Sequence, residues 1–218
     1  MKLMIVDDHQ VVRQGIANLL RSMLPAVAII EVDNGQDAVA RYGELRPDVV
    51  LLDMGLPDIS GLEVGRRLRQ RWRGAAILFF TMHDELPMVR QALDVGGLGF
   101  VSKSCAPEEL AEAVKRVAAG QPYIEHPIAT RLAMNQERPV DHRLRDMTQR
   151  EMEVLLMYAR GESVGGIAER LCVSSKTVSN HLAGLKNKLQ VSSSVELIHL
   201  AVDAGLIRYG QLEEARRV

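Results

Sequence analysis

The chain has 218 residues, 47% hydrophobic and 25% charged, with a formal net charge of −1, which is the composition of an ordinary globular protein of one or two domains. It contains no run of about 18 apolar residues, and its first apolar stretch ends in two aspartates, so we expect a cytoplasmic protein with no signal peptide and no membrane contact. The two cysteines, Cys105 and Cys172, lie outside any CxxC or Cys/His cluster and indicate no metal or redox site.

The first half of the chain alternates two kinds of segment. Short apolar runs, most of them rich in Val, Ile, Leu or Phe, predict buried strands at residues 3–6, 27–32, 49–52, 77–80 and 98–101. Amphipathic stretches predict helices at residues 11–23, 35–45, 60–71, 86–95 and 107–119. This alternation predicts an α/β domain over residues 1–120, with a five-stranded, doubly wound parallel sheet of the flavodoxin-like type.

Local helix signals agree with this assignment. Ser60 precedes Glu63 by three residues, which is the spacing of a capping box at a helix start. Pro107 opens the fifth predicted helix and Gly120 follows its end.

Polar residues follow the predicted strands at the ends where ligands bind in open parallel sheets. Asp7 and Asp8 end the first strand, Asp53 the third and Thr81 the fourth, while Lys103 follows the fifth. Three converging carboxylates repel one another, and a hard divalent cation relieves that repulsion. Mg²⁺ fits because it takes few carboxylates and retains water and phosphate oxygens.

An aspartate held beside Mg²⁺ can accept a phosphoryl group, since a carboxylate is a competent nucleophile for this chemistry. Lys103 and Thr81 would then offset charge on the phosphoryl oxygens. Each residue alone is equally well explained as a strand-end polar group, but five at successive strand ends favour a site. We therefore predict Asp53 as the phosphoacceptor.

Four segments, VDDHQVVRQG, LLDMGLPDISG, FTMHDE and GFVSKS, closely resemble the receiver domain of bacterial two-component response regulators over about residues 1–120. The resemblance implies that Asp53 forms an aspartyl phosphate with a phosphoryl group from a sensor histidine kinase. It implies that Asp8, Asp53 and the backbone carbonyl of Gly55 bind Mg²⁺ directly and that Asp7 acts through water.

The same resemblance assigns the response to phosphorylation. Thr81 and Lys103 would contact the phosphoryl oxygens, and Phe100 occupies the position of the family's switch aromatic, which turns inward when the hydroxyl residue moves. Gly55 and His83 occupy positions that tune the lifetime of the phosphorylated state in the family. His83 either positions water or is a solvated loop residue.

The remaining segments of the chain predict a linker and a helical domain. Residues 121–145 contain three prolines and lack clear periodicity, so we expect a linker, with residues 128–135 as a candidate helix. From residue 146 to 210 the pattern predicts an all-α domain of four helices. Their predicted bounds are residues 148–160, 163–171, 174–189 and 193–204. Gly161 and Gly205 are candidate C-terminal stops.

The segment IAERLCVSSKTVSNHLAGLKNKLQV closely resembles the helix-turn-helix of the LuxR/FixJ/NarL family. Apolar residues at helical spacing predict its buried face, namely Val178, Leu182, Leu185 and Leu189. The outward residues then predict contacts to double-stranded DNA. Those expected at base edges are Ser179, Asn180 and Ala183, and those expected at phosphates are Lys176, Thr177, Lys186 and Lys188.

Other features weaken the expected DNA contact. Residues 141–218 carry a net charge of only +1, low for a DNA-binding domain, and Gly165 and Gly166 disfavour the first helix of the motif. The last helix either packs on its own domain or forms a dimer contact. The arginine-rich stretch 66–73 either is a solvated surface or binds nucleic acid.

These features predict a response regulator in which phosphorylation of Asp53 controls homodimerisation and DNA binding, and so regulates transcription. We expect a phosphoacceptor switch that is not an enzyme beyond its own phosphorylation and dephosphorylation. Two alternatives stay open at this point. One is a phosphatase that uses Asp53 as nucleophile, and the other is a switch whose helical domain binds protein.

Overall fold

A computed structural model describes residues 1–82, 84–134, 142–144, 147–204 and 206–207. The chain divides into two compact units, Met1–Met134 and Asn135–Val218. Two residues singled out in the sequence, His83 and Gly205, lie outside the described residues, as do residues 135–141 and 145 of the predicted linker. Among the described helices, none is long and apolar enough to cross a membrane.

The first unit is built on one parallel sheet. Its strand order is β2-β1-β3-β4-β5-β6, and every neighbouring pair is parallel. The strands are β1 (Lys2–Val6), β2 (Ala28–Val32), β3 (Val49–Leu52), β4 (Ile77–Thr81), β5 (Gly99–Ser102) and β6 (Tyr123–Ile124). The predicted doubly wound parallel sheet is confirmed, with one more strand than expected.

Helices follow the strands in the predicted alternation. They are α1 (Gln10–Met23), α2 (Gly35–Leu45), α3 (Gly61–Arg71), α4 (Leu86–Asp94) and α5 (Pro107–Ala118). Side chains of α1 and α5 share a core with one face of the sheet, including Leu20, Val114 and Leu78. On the other face α3 approaches so closely that a Cβ on Gly65 would lie 3.0 Å from Phe79.

The capping-box prediction at α3 is half right. The Ser60 hydroxyl accepts a hydrogen bond from the Glu63 N–H (3.2 Å), as predicted. The Glu63 carboxylate, however, pairs with Arg66 and Arg67 one turn further along the same helix. Two guanidinium groups within reach compete successfully for the carboxylate.

The described first part of the predicted linker, residues 121–134, contains a strand and a helix. Tyr123 and Ile124 form β6 on the edge of β5, and α6 follows at His126–Met134. A two-residue strand shows no periodicity, and Ile128 is the one buried residue in the nine of α6. The candidate helix at residues 128–135 matches α6 as far as Met134, the last residue described there, whereas the two residues of β6 leave no hydrophobic pattern to recognise.

The second unit is helical, as predicted. A single 3₁₀ turn at His142–Leu144 precedes α7 (Gln149–Ala159), α8 (Val164–Arg170), α9 (Ser175–Lys188) and α10 (Ser194–Asp203). Hydroxyl groups cap all four helices, and at α7 Thr148 and Glu151 complete a reciprocal capping box. The four residues predicted to face the core here are all buried. Val178, Leu182 and Leu185 lie on α9, and Leu189 follows its last residue.

Candidate functional site

The parallel strands bring polar side chains together at the carboxyl edge of the sheet. The Asp53 N–H donates to the Val6 carbonyl (2.9 Å), and the Lys103 N–H donates to the Thr81 carbonyl (2.8 Å). These bonds fix the ends of β1, β3, β4 and β5 beside one another. Asp7, Asp53 and Thr81 are buried there, at 1%, 6% and 0% exposure.

The ammonium group of Lys103 bridges two of the carboxylates. Its Nζ lies 2.7 Å from Asp7 Oδ2 and 2.6 Å from Asp53 Oδ2. Burial alone would lower the pKa of Lys103, but the two carboxylates raise it above its ordinary value. The lysine therefore stays charged and partly balances the acidic residues.

Asp53 lies in the environment expected of a reactive carboxylate. Burial raises its pKa, and Asp7 acts in the same direction, while Lys103 opposes the rise. Its Oδ1 accepts a hydrogen bond from the Met54 N–H (2.7 Å), and its Oδ2 holds Lys103. Both oxygens are thus held in fixed directions, and little water surrounds them.

The carboxylates fit a divalent cation. Ligand atoms of Asp7, Asp8, His9 and Asp53 lie within 4.8 Å of one another. Within the described part of the chain, Asp8 Oδ1 is buried and accepts no hydrogen bond, although His9 Nδ1 lies 2.7 Å away. A buried oxygen without a donor costs free energy that a hard cation would recover. The three aspartates suit Mg²⁺, whereas a histidine nitrogen does not.

The loop after Asp53 is held at its end and in its middle. At Gly61, which starts α3, a Cβ would lie 2.1 Å from the carbonyl oxygen of Asp53. Asp58 anchors the middle of the loop by accepting hydrogen bonds from the N–H groups of Gly35 (2.8 Å) and Gln36 (2.7 Å) at the start of α2. The half-buried Gly55 lies between these anchors and Asp53.

Asp58 was not identified from the sequence. Although burial raises the pKa of this carboxyl, the backbone N–H groups of Gly35 and Gln36 lower it below its ordinary value. Asp58 therefore stays ionised as a cap on α2. The recognisable signal was an aspartate in a turn-forming LPDISG segment, but its partner lies 23 residues away in sequence.

Thr81 and Phe100, the predicted switch pair, are both fully buried. Phe100 is paired in register with Phe79 on β4, and Thr81 ends the same strand. In this structure Phe100 therefore lies inside the unit. Its predicted change of orientation on phosphorylation stays a prediction.

The predicted DNA-reading residues lie on α9 of the second unit. Lys176, Ser179, Asn180 and Ala183 are exposed there, as a reading surface requires. Thr177 is half-buried, and its hydroxyl lies 2.8 Å from that of the capping residue Ser174. This contact favours a structural role for Thr177 at the start of the helix.

The lysines of α9 differ in their surroundings. Lys188 Nζ lies 2.6 Å from Glu151 Oε2, so that its charge is paired inside the unit. Burial alone would raise the pKa of Glu151, but the hydrogen bonds from Lys188 and Thr148 outweigh burial and lower this pKa below its ordinary value. The pair is therefore ionised. Lys186 is half-buried and Lys176 is exposed. Lys188 is thus the weakest of the predicted phosphate contacts.

Two protein families match the two halves of the chain. Residues 3–115 match the response regulator receiver domain. Residues 145–201 match the bacterial regulatory proteins of the luxR family.

Named relatives are similar over nearly the whole chain. The transcriptional activator protein ExaE of Pseudomonas putida is 50% identical over 95% of this chain and 99% of its own length. The response regulator UvrY of Escherichia coli (strain K12) is 35% identical over 93% of this chain and 94% of its own. The response regulator GacA of Pseudomonas aeruginosa is 35% identical over 94% and 97%.

Solved structures support the same architecture. A LuxR-family two-component response regulator from Aurantimonas sp. is 35% identical, with a TM-score of 0.59, over 62% of this chain and 96% of that chain. A structure of two RcsB dimers bound to two parallel DNAs is 23% identical, with a TM-score of 0.60, over 93% and 98%. At that identity the second likeness establishes the fold alone.

Proposed function

This chain belongs to the response regulators that join a receiver domain to a LuxR-type DNA-binding domain, and we propose that phosphorylation of Asp53 by a sensor histidine kinase is its switch. Such proteins regulate transcription. In this chain Asp53 would be the phosphoacceptor and a histidine kinase the phosphodonor, and dimerisation and DNA binding would follow.

One observation carries the assignment of Asp53: its carboxylate is buried at the sheet edge and bound by Lys103 at 2.6 Å. Asp7 is buried deeper and Lys103 binds it too, and each aspartate accepts one backbone N–H, from His9 at Asp7 (2.8 Å) and from Met54 at Asp53 (2.7 Å). Their positions in the sheet distinguish them. Asp53 is flanked by Thr81 and Lys103 at the ends of the two following strands. It therefore has a hydroxyl and an ammonium group available for the incoming phosphoryl oxygens.

The residues account for the transfer step. An oxygen of Asp53 attacks the phosphorus of a phosphohistidine, a new P–O bond forms, and the P–N bond breaks with its electron pair leaving on the donor imidazole. Lys103 offsets the negative charge on the transferred group, and its raised pKa keeps it charged for that role. Thr81 can donate its hydroxyl hydrogen to a phosphoryl oxygen.

Mg²⁺ would be held by Asp8, Asp53 and the carbonyl of Gly55, with Asp7 acting through water. When bound, it supplies positive charge beside the phosphoryl oxygens. The buried Oδ1 of Asp8, which accepts no hydrogen bond among the described residues, supports this assignment. We further propose that the chain is a phosphoacceptor and not an enzyme acting on another substrate.

Phosphorylation would change the DNA-binding unit by shifting an equilibrium between conformations or assembly states. The exposed side chains of Lys176, Asn180 and Ala183 support a DNA-reading role for α9. Asparagine pairs with adenine, and the alanine methyl can contact thymine. Homodimerisation would place two such helices on one DNA site.

The proposal is tested by labelling the full chain with a small phosphodonor, acetyl phosphate, with Mg²⁺ or with chelator. We expect incorporation of acid-labile phosphate to be abolished in Asp53→Asn, and also in wild type when chelator is in excess. Asp58→Asn is the matched control, since it lies in the same loop and keeps an oxygen for the N–H groups of α2. Labelling that persists in Asp53→Asn would remove Asp53 from its role.

A further inference from the structure

Glu125 lies where β6 ends and α6 begins, and all three of its polar groups are bonded. Its N–H donates to the Phe100 carbonyl (3.1 Å), and its own carbonyl accepts from the Ala129 N–H (2.9 Å). Its carboxylate Oε2 accepts from the N–H of Ser102 (2.7 Å). One residue thus joins β5 to the start of α6.

The geometry explains why a carboxylate is needed there. In a continued parallel ladder, the backbone carbonyl of Glu125 would be the acceptor for the next N–H of β5. That carbonyl is instead committed to the first hydrogen bond of α6. Ser102 is buried at 6% exposure, so its N–H needs another partner, and the Glu125 side chain provides it.

This bond lies directly beside the phosphorylation site. Ser102 immediately precedes Lys103, which contacts Asp7 and Asp53. The other strand neighbour of Glu125 is Phe100, the predicted switch aromatic. A shift of Glu125 would therefore move the backbone that carries Lys103.

A second contact joins the same segment to the opposite side of the site. Arg131 of α6 donates to the carbonyl (2.8 Å) and to the carboxylate (2.5 Å) of Asp84, three residues after Thr81. The segment from Tyr123 to Met134 is therefore bonded near both Thr81 and Lys103. It is also the last described part of the first unit before the chain continues to the DNA-binding unit.

We propose that Glu125 is a positioning residue for phosphoryl transfer: through the Ser102 N–H it fixes the backbone of Lys103, and it links that lysine to α6. The inference rests on the proposed function of Asp53 and Lys103. Glu125 lies after β5, outside the four segments that resemble the receiver family.

The test compares rates of acetyl phosphate labelling at saturating Mg²⁺ in the full chain. We expect Glu125→Ala to slow labelling about tenfold, because it removes the charge-assisted hydrogen bond from the Ser102 N–H that fixes the backbone of Lys103. Glu125→Gln should remain within about twofold of wild type, because its amide oxygen still accepts the Ser102 N–H. The Mg²⁺ concentration for half-maximal labelling should be unchanged in both, and exchange of the Ser102 amide hydrogen should rise only in Glu125→Ala.

Glu109→Gln is the matched control. Glu109 of α5 also bonds to this segment, but its carboxylate accepts from the Tyr123 hydroxyl of β6 (3.0 Å) and not from the backbone beside Lys103. It should label like wild type. Equal slowing in Glu109→Gln or in Glu125→Gln, or a wild-type rate in Glu125→Ala, would overturn the inference. If Glu125→Ala does not fold, Glu125→Met, which keeps the length without an acceptor, replaces it in the comparison.

The two proposals fail separately. Acetyl phosphate labelling of Asp53→Asn, with Glu125 unchanged, is measured alongside the Glu125 variants. Labelling that survives in Asp53→Asn contradicts the proposed function itself. Labelling that needs Asp53 but proceeds at the wild-type rate in Glu125→Ala contradicts only the role of Glu125.

Discussion

The two units hold their functional residues in opposite ways. At the sheet edge of the first unit, Asp7 and Asp53 are buried, and the half-buried Lys103 offsets part of their charge through contacts of 2.7 and 2.6 Å. On α9 of the second unit, Lys176 and Asn180 are exposed. A chemical step needs desolvated charges held in advance, whereas reading a large polymer needs side chains that remain accessible. Single substitutions should therefore have large effects at the first site and small ones at the second.

The largest expected effect comes from Lys103→Met in the absence of Mg²⁺. The change leaves two buried carboxylates without a positive partner. We expect the free energy of unfolding of the first unit to fall by about 3 kcal/mol in chelator. Added Mg²⁺ should recover part of the loss, because the cation replaces the missing charge.

Denaturant titrations with and without Mg²⁺ measure both effects. Lys115→Met, an exposed lysine of α5, is the matched control and should change stability by less than about 0.5 kcal/mol. If Lys103→Met were as stable in chelator as the control, the buried charges would not depend on one another, and the contrast between the units would fail.

Gly61→Ala should have the next largest effect. Its Cβ would lie 2.1 Å from the Asp53 carbonyl oxygen and 2.8 Å from the Met54 Cα, which are backbone atoms that cannot rotate away. We expect a loss of about 2 kcal/mol and slower labelling of Asp53, since the acceptor backbone must shift. At Gly74, where nothing lies within 4 Å of a Cβ, the same substitution should be tolerated. Equal stability of the two variants would show that the loop relaxes freely.

The sequence predicted the parts of both sites that depend on short-range pattern. Strand ends followed by Asp7, Asp53 and Lys103 are recognisable because parallel strands bring their carboxyl ends to one edge. The buried side of α9 is recognisable because Val178 and Leu182 recur at helical spacing. Both features depend on residues within one element or on a general rule of topology.

The contacts that were missed join residues distant in sequence. Asp58 caps a helix 23 residues earlier, and Glu125 binds an N–H 23 residues earlier. Lys188 pairs with Glu151, which lies 37 residues away. Such pairs leave no periodic signal, and each member alone is indistinguishable from a solvated charge. The sequence therefore locates the reactive groups but not the residues that hold them.

Lys176→Ala combined with Lys186→Ala tests the second site directly. Removing two phosphate contacts should weaken DNA binding about tenfold on any sequence and should reduce the slope of log affinity against log salt by about 2. Fluorescence anisotropy with a specific and a random duplex, over a range of salt concentrations, measures both quantities.

Lys188→Ala is the internal comparison for that experiment. Because Lys188 is paired with Glu151 at 2.6 Å, its loss should leave the salt slope nearly unchanged and should instead lower the stability of the second unit. An unchanged slope in the double variant would indicate that α9 does not contact DNA phosphates, and it would favour a protein partner for this unit.

The smallest expected effect is a gain of stability at α8. Gly165 and Gly166 lie in the first turn of that helix, neither has a positive φ, and the nearest atom to an added Cβ is the Ser163 hydroxyl oxygen, at 3.9 and 3.4 Å. Gly165→Ala should therefore raise the free energy of unfolding of the second unit by about 0.7 kcal/mol, by reducing the freedom of the unfolded chain. The Ser163 cap, which accepts from the Gly166 N–H, is preserved. Unchanged DNA affinity with higher stability would show that the glycines loosen the scaffold without contributing to reading, whereas weaker binding would show that α8 must adapt when α9 enters the groove.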